Sequence, residues 1–281
     1  MKNVRLFCLT IIGLITILPI ITFADTITNL NGIVITEDEY NDFLKIRTHE
    51  YIMTMNQEKY EKLKSLDYSN ILNDTKYVAT TYNQSLGITT EREITEEEYN
   101  NFSTEVMPLL EDEGAYYATQ VKELSLNVAG GTTWNYVVVT ATWKGIPSTR
   151  SYDVIGIRGF DFEFRNGSQN GEQIYVLNNQ YTTIDYAWDG TNIRRHDNGF
   201  GISMNIVNSN ITALQLTVEC DVKATSNYPA VYGSYQHAVQ SLSLADSQNY
   251  TLSGEGLGNV FVFPYSISQK YDGMSGVYVQ Y

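Results

Sequence analysis

The segment Leu214-Gln215-Leu216-Thr217-Val218-Glu219-Cys220-Asp221-Val222 alternates apolar and polar residues without a break. Successive side chains of a β-strand point to opposite faces, so the apolar set of this segment shares one face. We therefore predict a strand whose five apolar side chains, Leu214, Leu216, Val218, Cys220 and Val222, all point into one core.

The same two-residue period recurs between residues 114 and 281. It is carried by Leu124–Val128, Phe160–Phe164, Ile184–Trp188 and Phe200–Ile206, and Asn-Gly and Asp-Gly turn pairs lie between many of the segments. The run Trp134–Trp143 is apolar or threonine on both faces, which favours a central position in a sheet. Many short antiparallel strands without intervening helices predict a mainly β fold, an antiparallel β-sandwich of jelly-roll-like type over residues 114–281.

Residues 25–113 predict a small acidic α+β region in front of the sandwich, with 19 acidic and 7 basic residues. A short repeat marks it: Ile35–Phe43 (ITEDEYNDF) recurs as Ile94–Phe102 (ITEEEYNNF). In each copy a threonine is followed three positions later by a glutamate, the pattern of a capping box at a helix N-terminus. The repeat fits a duplicated unit and equally fits two independent uses of one helix cap.

Apolar spacing predicts that the first helix of this region runs to about Leu66 and that the second ends before Pro108. Between them, Tyr77–Tyr82 and Ile88–Ile94 flank a turn near Asn83–Gly87 and predict a hairpin.

Residues 1–24 are typical of a secretory signal peptide. Lys2 and Arg5 precede an apolar run that ends in Thr22-Phe23-Ala24, a small-x-small pattern that suits a signal peptidase. The alternative is an uncleaved anchor, because the run approaches the ~17–25 residues that span a bilayer. Pro19 and the small residues favour cleavage, so we expect an exported chain that starts at Asp25.

The charge balance excludes some partner classes. The chain has 32 acidic and 18 basic residues, and loss of Lys2 and Arg5 leaves a net charge of −16. Nucleic acids and anionic lipids attract basic surfaces, so we expect neither as a partner. No stretch after residue 24 is long and apolar enough to predict a transmembrane helix. Cys220 is the only cysteine left, so an intramolecular disulfide is excluded and a buried, inert thiol is expected.

Motifs of catalysis and metal binding are not found. His49-Glu50 resembles the start of a zinc-protease helix, but Met53 occupies the position of the second ligand. Gly254–Gly258 lacks the lysine of a phosphate-binding loop. We therefore expect no cofactor and no metal. The acidic residues on polar strand phases, namely Asp153, Asp161, Glu163, Asp185, Glu219 and Asp221, are interpreted as solvated.

Four residues are the candidate contacts for a ligand or partner. Arg150 and Asp153 lie in the Pro-containing segment Trp143–Arg158, close enough in sequence to pair, and Tyr235 and His237 lie in an aromatic strand. With Ile35–Leu63 and Tyr271–Val277, these segments resemble uncharacterised secreted proteins of spore-forming and related Gram-positive bacteria. The resemblance implies an extracellular or cell-surface location and no activity.

Three functional hypotheses remain open from the sequence. The first is a secreted, non-catalytic binding protein for an unknown protein or glycan, since tyrosine-rich sheet faces stack on sugars or anchor partners. The second is a pore-forming protein that inserts the amphipathic stretch Gln236–Leu252 as a hairpin. The third is a hydrolase whose carboxylates come together only in the fold.

Overall fold

A computed structural model describes residues 26–83, 88–102, 117–253, 260–273 and 276–281. The predicted signal peptide, Pro108, the loop Gly254–Gly258 and most of the predicted turn near Asn83–Gly87 lie outside the described residues.

Within these ranges the chain is mainly β, as its sequence predicts. The strands are β1 (Thr26–Thr28), β2 (Val34–Thr36), β3 (Asp67–Asn83), β4 (Ile88–Ile94), β5 (Tyr117–Gly130), β6 (Asn135–Trp143), β7 (Tyr152–Phe160), β8 (Phe162–Phe164), β9 (Asn170–Leu177), β10 (Gln180–Tyr186), β11 (Ile193–His196), β12 (Gly199–Asn205), β13 (Ile211–Ala224), β14 (Ala230–Gln236), β15 (Thr251–Leu252), β16 (Phe261–Val262) and β17 (Val277–Gln280). The helices are α1 (Glu37–Leu44), α2 (His49–Thr54), α3 (Gln57–Lys64), α4 (Glu96–Asn101), α5 (Leu244–Ser247) and α6 (Tyr265–Ser268).

The larger sheet has the strand order β10-β9-β13-β6-β5-β3-β4, with β8 added beside β13, and all of its pairs are antiparallel. β6 lies between β13 and β5, which confirms the central position predicted for Trp134–Trp143. The hairpin predicted from Tyr77–Tyr82 and Ile88–Ile94 is formed by β3 and β4. Because β3 also pairs with β5, this sheet runs across the boundary predicted between residues 113 and 114.

A smaller sheet, β11-β12-β7-β14-β17, packs face to face on the larger one. All five apolar side chains of the Leu214–Val222 alternation lie in the core between the two sheets and are at most 1 % exposed. This packing confirms the predicted strand and gives the described residues the sandwich-like architecture that the sequence indicates.

A helical layer covers the other face of the larger sheet. Its apolar residues, among them Phe43, Tyr51 and Leu63, pack on Tyr136 and Val138 of β6. β6 is therefore buried on both faces, because Val137 and Val139 point into the sandwich core. The helical layer also covers the polar face of β13. This face is therefore not solvated, although the alternation of its sequence predicts that it is.

The prediction of one helix to about Leu66 is wrong, because the segment forms three short helices. Thr48 and Asn56 interrupt it by capping new N-termini: their side chains accept hydrogen bonds from the backbone N–H groups of Tyr51 and Lys59.

Both predicted capping boxes are present. The hydroxyl of Thr36 accepts from the N–H of Glu39, whose carboxylate accepts from the N–H of Thr36, and Thr95 and Glu98 repeat the arrangement. The repeat therefore marks two helix starts. Both helices pack on the larger sheet, α1 through Phe43 and α4 through Tyr99.

The outer face of the smaller sheet is covered by residues 238–253 and 260–271. The rings of Tyr250 and Phe261 lie against Gly156 and Gly201, where an added Cβ would meet them at about 2.5–2.6 Å. Part of this cover is the segment Gln236–Leu252, which the pore-forming hypothesis inserts into a membrane as a hairpin. In this structure it contains a β-bridge at Ala238, helix α5 and the two-residue strand β15, and it is anchored by buried Leu242 and Tyr250.

Another local departure concerns Phe160–Phe164, which was predicted as one strand. It is broken at Asp161, whose φ of 56° is left-handed and ends β7 before β8 begins. Among the described residues, no helix has the length and apolar character required to cross a bilayer.

Candidate functional site

A cleft of about 240 Å³ opens between helix α3 and the larger sheet. Its helical wall is formed by Asn56, Glu58, Lys59 and Lys62, and its floor by Asn170, Gly171, Glu172, Asp185, Tyr186, Ala187, Thr217 and Glu219. We call it the α3 cleft. Four carboxylates and two ammonium groups line it, so the lining is highly charged and contains more acidic than basic groups.

Strand register brings the floor residues together. In the hairpin of β9 and β10, Asn178 and Asn179 both have positive φ, as a two-residue type I′ turn requires. This turn places Asp185 directly opposite Glu172. On the next strand, Thr217 lies opposite Glu172, so Glu219 is its diagonal neighbour on the same face.

Two lysines of α3 reach down to these carboxylates. The Nζ of Lys59 lies 3.0 Å from Glu172 Oε2 and 3.0 Å from Asp185 Oδ1. One turn further on, the Nζ of Lys62 lies 3.1 Å from Asp221 Oδ1 and 3.6 Å from Glu219 Oε1. Residues three apart share a helix face, so both ammonium groups point to the sheet.

Burial and these charges shift the lysines in opposite directions. Burial alone would lower the pKa of Lys59, but Glu172 and Asp185 outweigh it and raise that pKa. For Lys62, burial outweighs the attraction of Asp221 and lowers the pKa, and the charge of Arg47 adds to this effect. Lys62 is thus the cation of the cleft that most readily gives up its proton.

Arg47 supports the floor from behind. Its guanidinium is fully buried, contacts Glu219 and the hydroxyl of Tyr136, and lies 3.8 Å from the ring centre of Tyr51. Burial raises the pKa of Tyr136, so its hydroxyl stays neutral and also donates to Glu219. Glu219 is therefore fixed in place by three partners.

The expectation that Glu219 and Asp153 are solvated is wrong. Glu219 is 7 % exposed, because the helical layer covers the polar face of β13, and Asp153 is fully buried. Asp161, Glu163 and Asp185 are exposed, as expected.

Three of the four candidate contact residues meet in a buried network away from the α3 cleft. The carboxylate of Asp153 accepts from the hydroxyl of Tyr235 and from the N–H of Ala238, and lies 3.0 Å from Nδ1 of His237. The indole N–H of Trp143 donates to the Tyr235 hydroxyl at 2.8 Å. Tyr235 and Asp153 are fully buried and His237 is 3 % exposed, so this network is internal to the sandwich.

The network continues into a second carboxylate and a lysine. Asp272 accepts from the backbone N–H of His237 at 2.8 Å and forms a fully buried ion pair with Lys122 of β5. The same ammonium lies 3.3 Å from Glu91 of β4. Burial, reinforced by Asp272 and only partly offset by Lys122, raises the pKa of Glu91 to about 7. No motif predicts this cluster, since its members are far apart in sequence.

Arg150 lies apart from the other three candidates. Its guanidinium donates to the backbone carbonyls of Val207 and Ser209, while Asp153 is engaged by Tyr235 and His237. The pair expected from their closeness in sequence is therefore replaced by separate contacts.

The cysteine and the other two histidines are the remaining candidates for metal and thiol chemistry. Within the described ranges, no three His, Cys, Asp or Glu side chains are arranged to hold a metal ion. Cys220 is buried, and burial raises the pKa of its thiol. His49 is exposed and its Nδ1 lies 2.7 Å from the Tyr40 hydroxyl. His196 is half-buried beside Tyr250, and burial lowers its pKa.

Comparison of the chain with protein-family models and with curated proteins gave no match.

Proposed function

We propose that this protein is a secreted, non-catalytic binding protein of a Gram-positive bacterium, which holds a neutral, hydroxyl-rich ligand in the α3 cleft. The ligand class that fits is a sugar residue of a glycan. The observation that carries the proposal is the open cleft itself, in which both lysines are already paired with carboxylates of the sheet. Secretion is supported by the signal-peptide pattern of residues 1–24.

The pairing within the cleft favours a neutral ligand over a charged one. Each ammonium group has three N–H donors, and the Nζ of Lys59 uses two of them on Glu172 and Asp185. A third donor remains, and each carboxylate retains unused acceptor sites. A charged ligand has to compete with the existing pairs, whereas a hydroxyl group, which both donates and accepts, adds to them.

Uncharged groups complete the lining of the cleft. Asn56 and Asn170 add side-chain amides to the wall, and Tyr186 and Ala187 add less polar surface. Such sites combine a pre-formed concave surface with a few placed polar groups that fix orientation. At about 240 Å³ the cleft suits a single ring.

Hydrolysis of the glycan is the second candidate function, because Glu172 and Glu219 are diagonal neighbours on adjacent strands. A glycosidase requires one of its two carboxyls to be protonated as the general acid. Here Glu172 accepts from Lys59, and Glu219 accepts from Arg47, so both carboxyls act as hydrogen-bond acceptors and neither donates a proton. We therefore favour binding without turnover.

A calorimetric titration tests the proposal. The purified chain without residues 1–24 is titrated with glucose, mannose and N-acetylglucosamine and with their hexasaccharides. Asp185→Ala removes an exposed acceptor of the cleft, and we expect it to weaken binding about tenfold, because a hydrogen bond to a charged group contributes ~1.5 kcal/mol. Asp189→Ala, exposed in the turn that follows β10 but outside the cleft, is the matched control and should bind as the parent does.

The result that overturns the proposal is lack of binding to every sugar, or equal binding by the parent and Asp185→Ala. Release of reducing ends from a hexasaccharide in the same samples would replace binding by the hydrolase function.

A further inference from the structure

Strand β10, an edge strand of the larger sheet, runs from Asp185 in the α3 cleft to Tyr181. Alternate residues of a strand share a face, so Tyr181, Thr183 and Asp185 all point to the helical side. Tyr181 confirms this direction because it packs against the apolar cluster under the helices. At about 3.3 Å per residue, Tyr181 and Asp185 are roughly 13 Å apart.

At the far end of this row, Tyr181 belongs to a group of three rings that we call the aromatic trio: Tyr40, His49 and Tyr181. The ring centres of Tyr40 and His49 are 6.2 Å apart, and those of His49 and Tyr181 are 6.4 Å apart, both edge to face. The hydroxyl of Tyr40 and Nδ1 of His49 are within hydrogen-bond distance, which fixes the two rings relative to each other. The trio is pre-formed and held by α1, α2 and β10.

The trio is also open to solvent. His49 is exposed, and the rings of Tyr40 and Tyr181 are half-buried against the helical core. Burial, with Glu50 and Tyr40 nearby, raises the pKa of Tyr181, so its hydroxyl is neutral and available as donor and acceptor. Rings that present an apolar face and a polar edge suit the alternating apolar and hydroxyl surfaces of sugars.

We propose that the α3 cleft and the aromatic trio are two ends of one binding surface, and that the natural ligand is therefore a glycan chain that lies along β10. The inference rests on the proposed function and names its ligand class more closely. One sugar ring occupies the cleft near Asp185. Because about 13 Å exceeds the length of one ring, a ligand that also reaches Tyr181 spans several rings.

The experiment compares short and long ligands on the same protein. For the parent chain without residues 1–24, we expect the best hexasaccharide of glucose, mannose or N-acetylglucosamine to bind at least about tenfold more tightly than its monosaccharide. Tyr181→Ala should abolish this difference and leave the affinity for the monosaccharide unchanged. Asp185→Ala should weaken both. Tyr228→Ala, in which a 76 % exposed ring away from β10 is removed, is the control and should behave as the parent.

Tyr181 also contributes to packing, so Tyr40→Ala on α1 serves as a second variant if Tyr181→Ala unfolds. Equal affinity for monosaccharide and hexasaccharide, or a hexasaccharide gain that survives loss of the trio, overturns the extended surface and leaves the proposed function standing. Failure of every sugar to bind overturns both. Both are also overturned if the chain binds hexalysine instead of sugars and this binding depends on Asp185. The acidic cleft would then be a site for cationic peptides.

Discussion

The ammonium group of Lys122 is paired with the carboxylate of Asp272, although 150 residues separate them in sequence and both side chains are fully buried. Lys122 lies on β5 of the larger sheet, and Asp272 lies at the end of the segment that covers the smaller sheet. The pair therefore connects three layers of the molecule. Its second carboxylate partner, Glu91, lies on the edge strand β4.

Removing one member of the buried pair should be strongly destabilising. We expect Lys122→Met to lower the free energy of unfolding by ~3–5 kcal/mol, because Asp272 would remain as an uncompensated buried charge. The double variant Lys122→Met, Asp272→Asn should recover part of this loss, since neither charge is then buried alone. Urea denaturation curves of the two variants measure both effects, and a double variant as unstable as the single one would contradict the pairing argument.

Glu91 should make stability depend on pH near neutrality. Its pKa is raised from the ordinary 4.5 to about 7 in the folded chain, so the folded state holds the proton more tightly than the unfolded state. Stability from this group therefore increases as pH falls from above 7 towards 4.5, and it is lost as pH rises through 7.

Glu91→Gln should remove that dependence, because the amide is neutral throughout this range. Midpoints of urea unfolding between pH 5 and pH 8 measure it for the parent, for Glu91→Gln and for Glu93→Gln. Glu93 is exposed on the same strand, so its variant should retain the slope of the parent. A parent slope that persists in Glu91→Gln would assign the effect to another group.

Strand β13 should be sensitive to truncation of its buried side chains. Leu216→Ala removes a fully buried side chain from the sandwich core and should cost about 3 kcal/mol through lost burial and a residual cavity. Leu30→Ala is the comparison, because Leu30 is 61 % exposed, and its substitution should change stability by less than about 0.5 kcal/mol. Equal losses of stability in the two variants would contradict a stabilising role of β13 in the core.

The two capping boxes should contribute to their own helices. Thr36→Ala and Thr95→Ala each remove one hydroxyl acceptor and should cost ~0.5–2 kcal/mol. Hydrogen exchange should accelerate at the N–H of Glu39 in the first variant and at that of Glu98 in the second. Serine at either position keeps the acceptor and should restore protection.

Local sequence predicted two structures that depend on neighbours along the chain. The alternation of β13 predicts its buried face, because the strand period is a property of the backbone. Thr36 and Glu39 predict a helix start, since both hydrogen bonds close within three residues. The prediction of a single long helix was wrong because it relied on apolar spacing, which continues without a break through the segment. The caps formed by Thr48 and Asn56 are also local signals, but the spacing does not show them.

The candidate site depended on contacts that the sequence does not encode locally. Asp153, Tyr235 and His237 were selected as surface contacts, and they do meet, but inside the sandwich. Glu172 was not selected, because a lone glutamate between Gly171 and Gln173 carries no signature of a site. It becomes part of the α3 cleft only through the register of β9 with β10 and β13 and the placement of Lys59 above them.

The sequence by itself determined the strand periods, the turns and the helix caps, because these follow from backbone geometry and from hydrogen bonds between near neighbours. The tertiary structure alone decided which polar faces are covered. β13 has one apolar and one polar face, and periodicity distinguishes them, but it does not show that α3 lies over the polar one. Burial of Glu219, the pairing of Lys122 with Asp272 and the opening of the α3 cleft all depend on which layer packs on which. That choice is set by the summed burial of apolar surface over the whole chain, which no single segment contains.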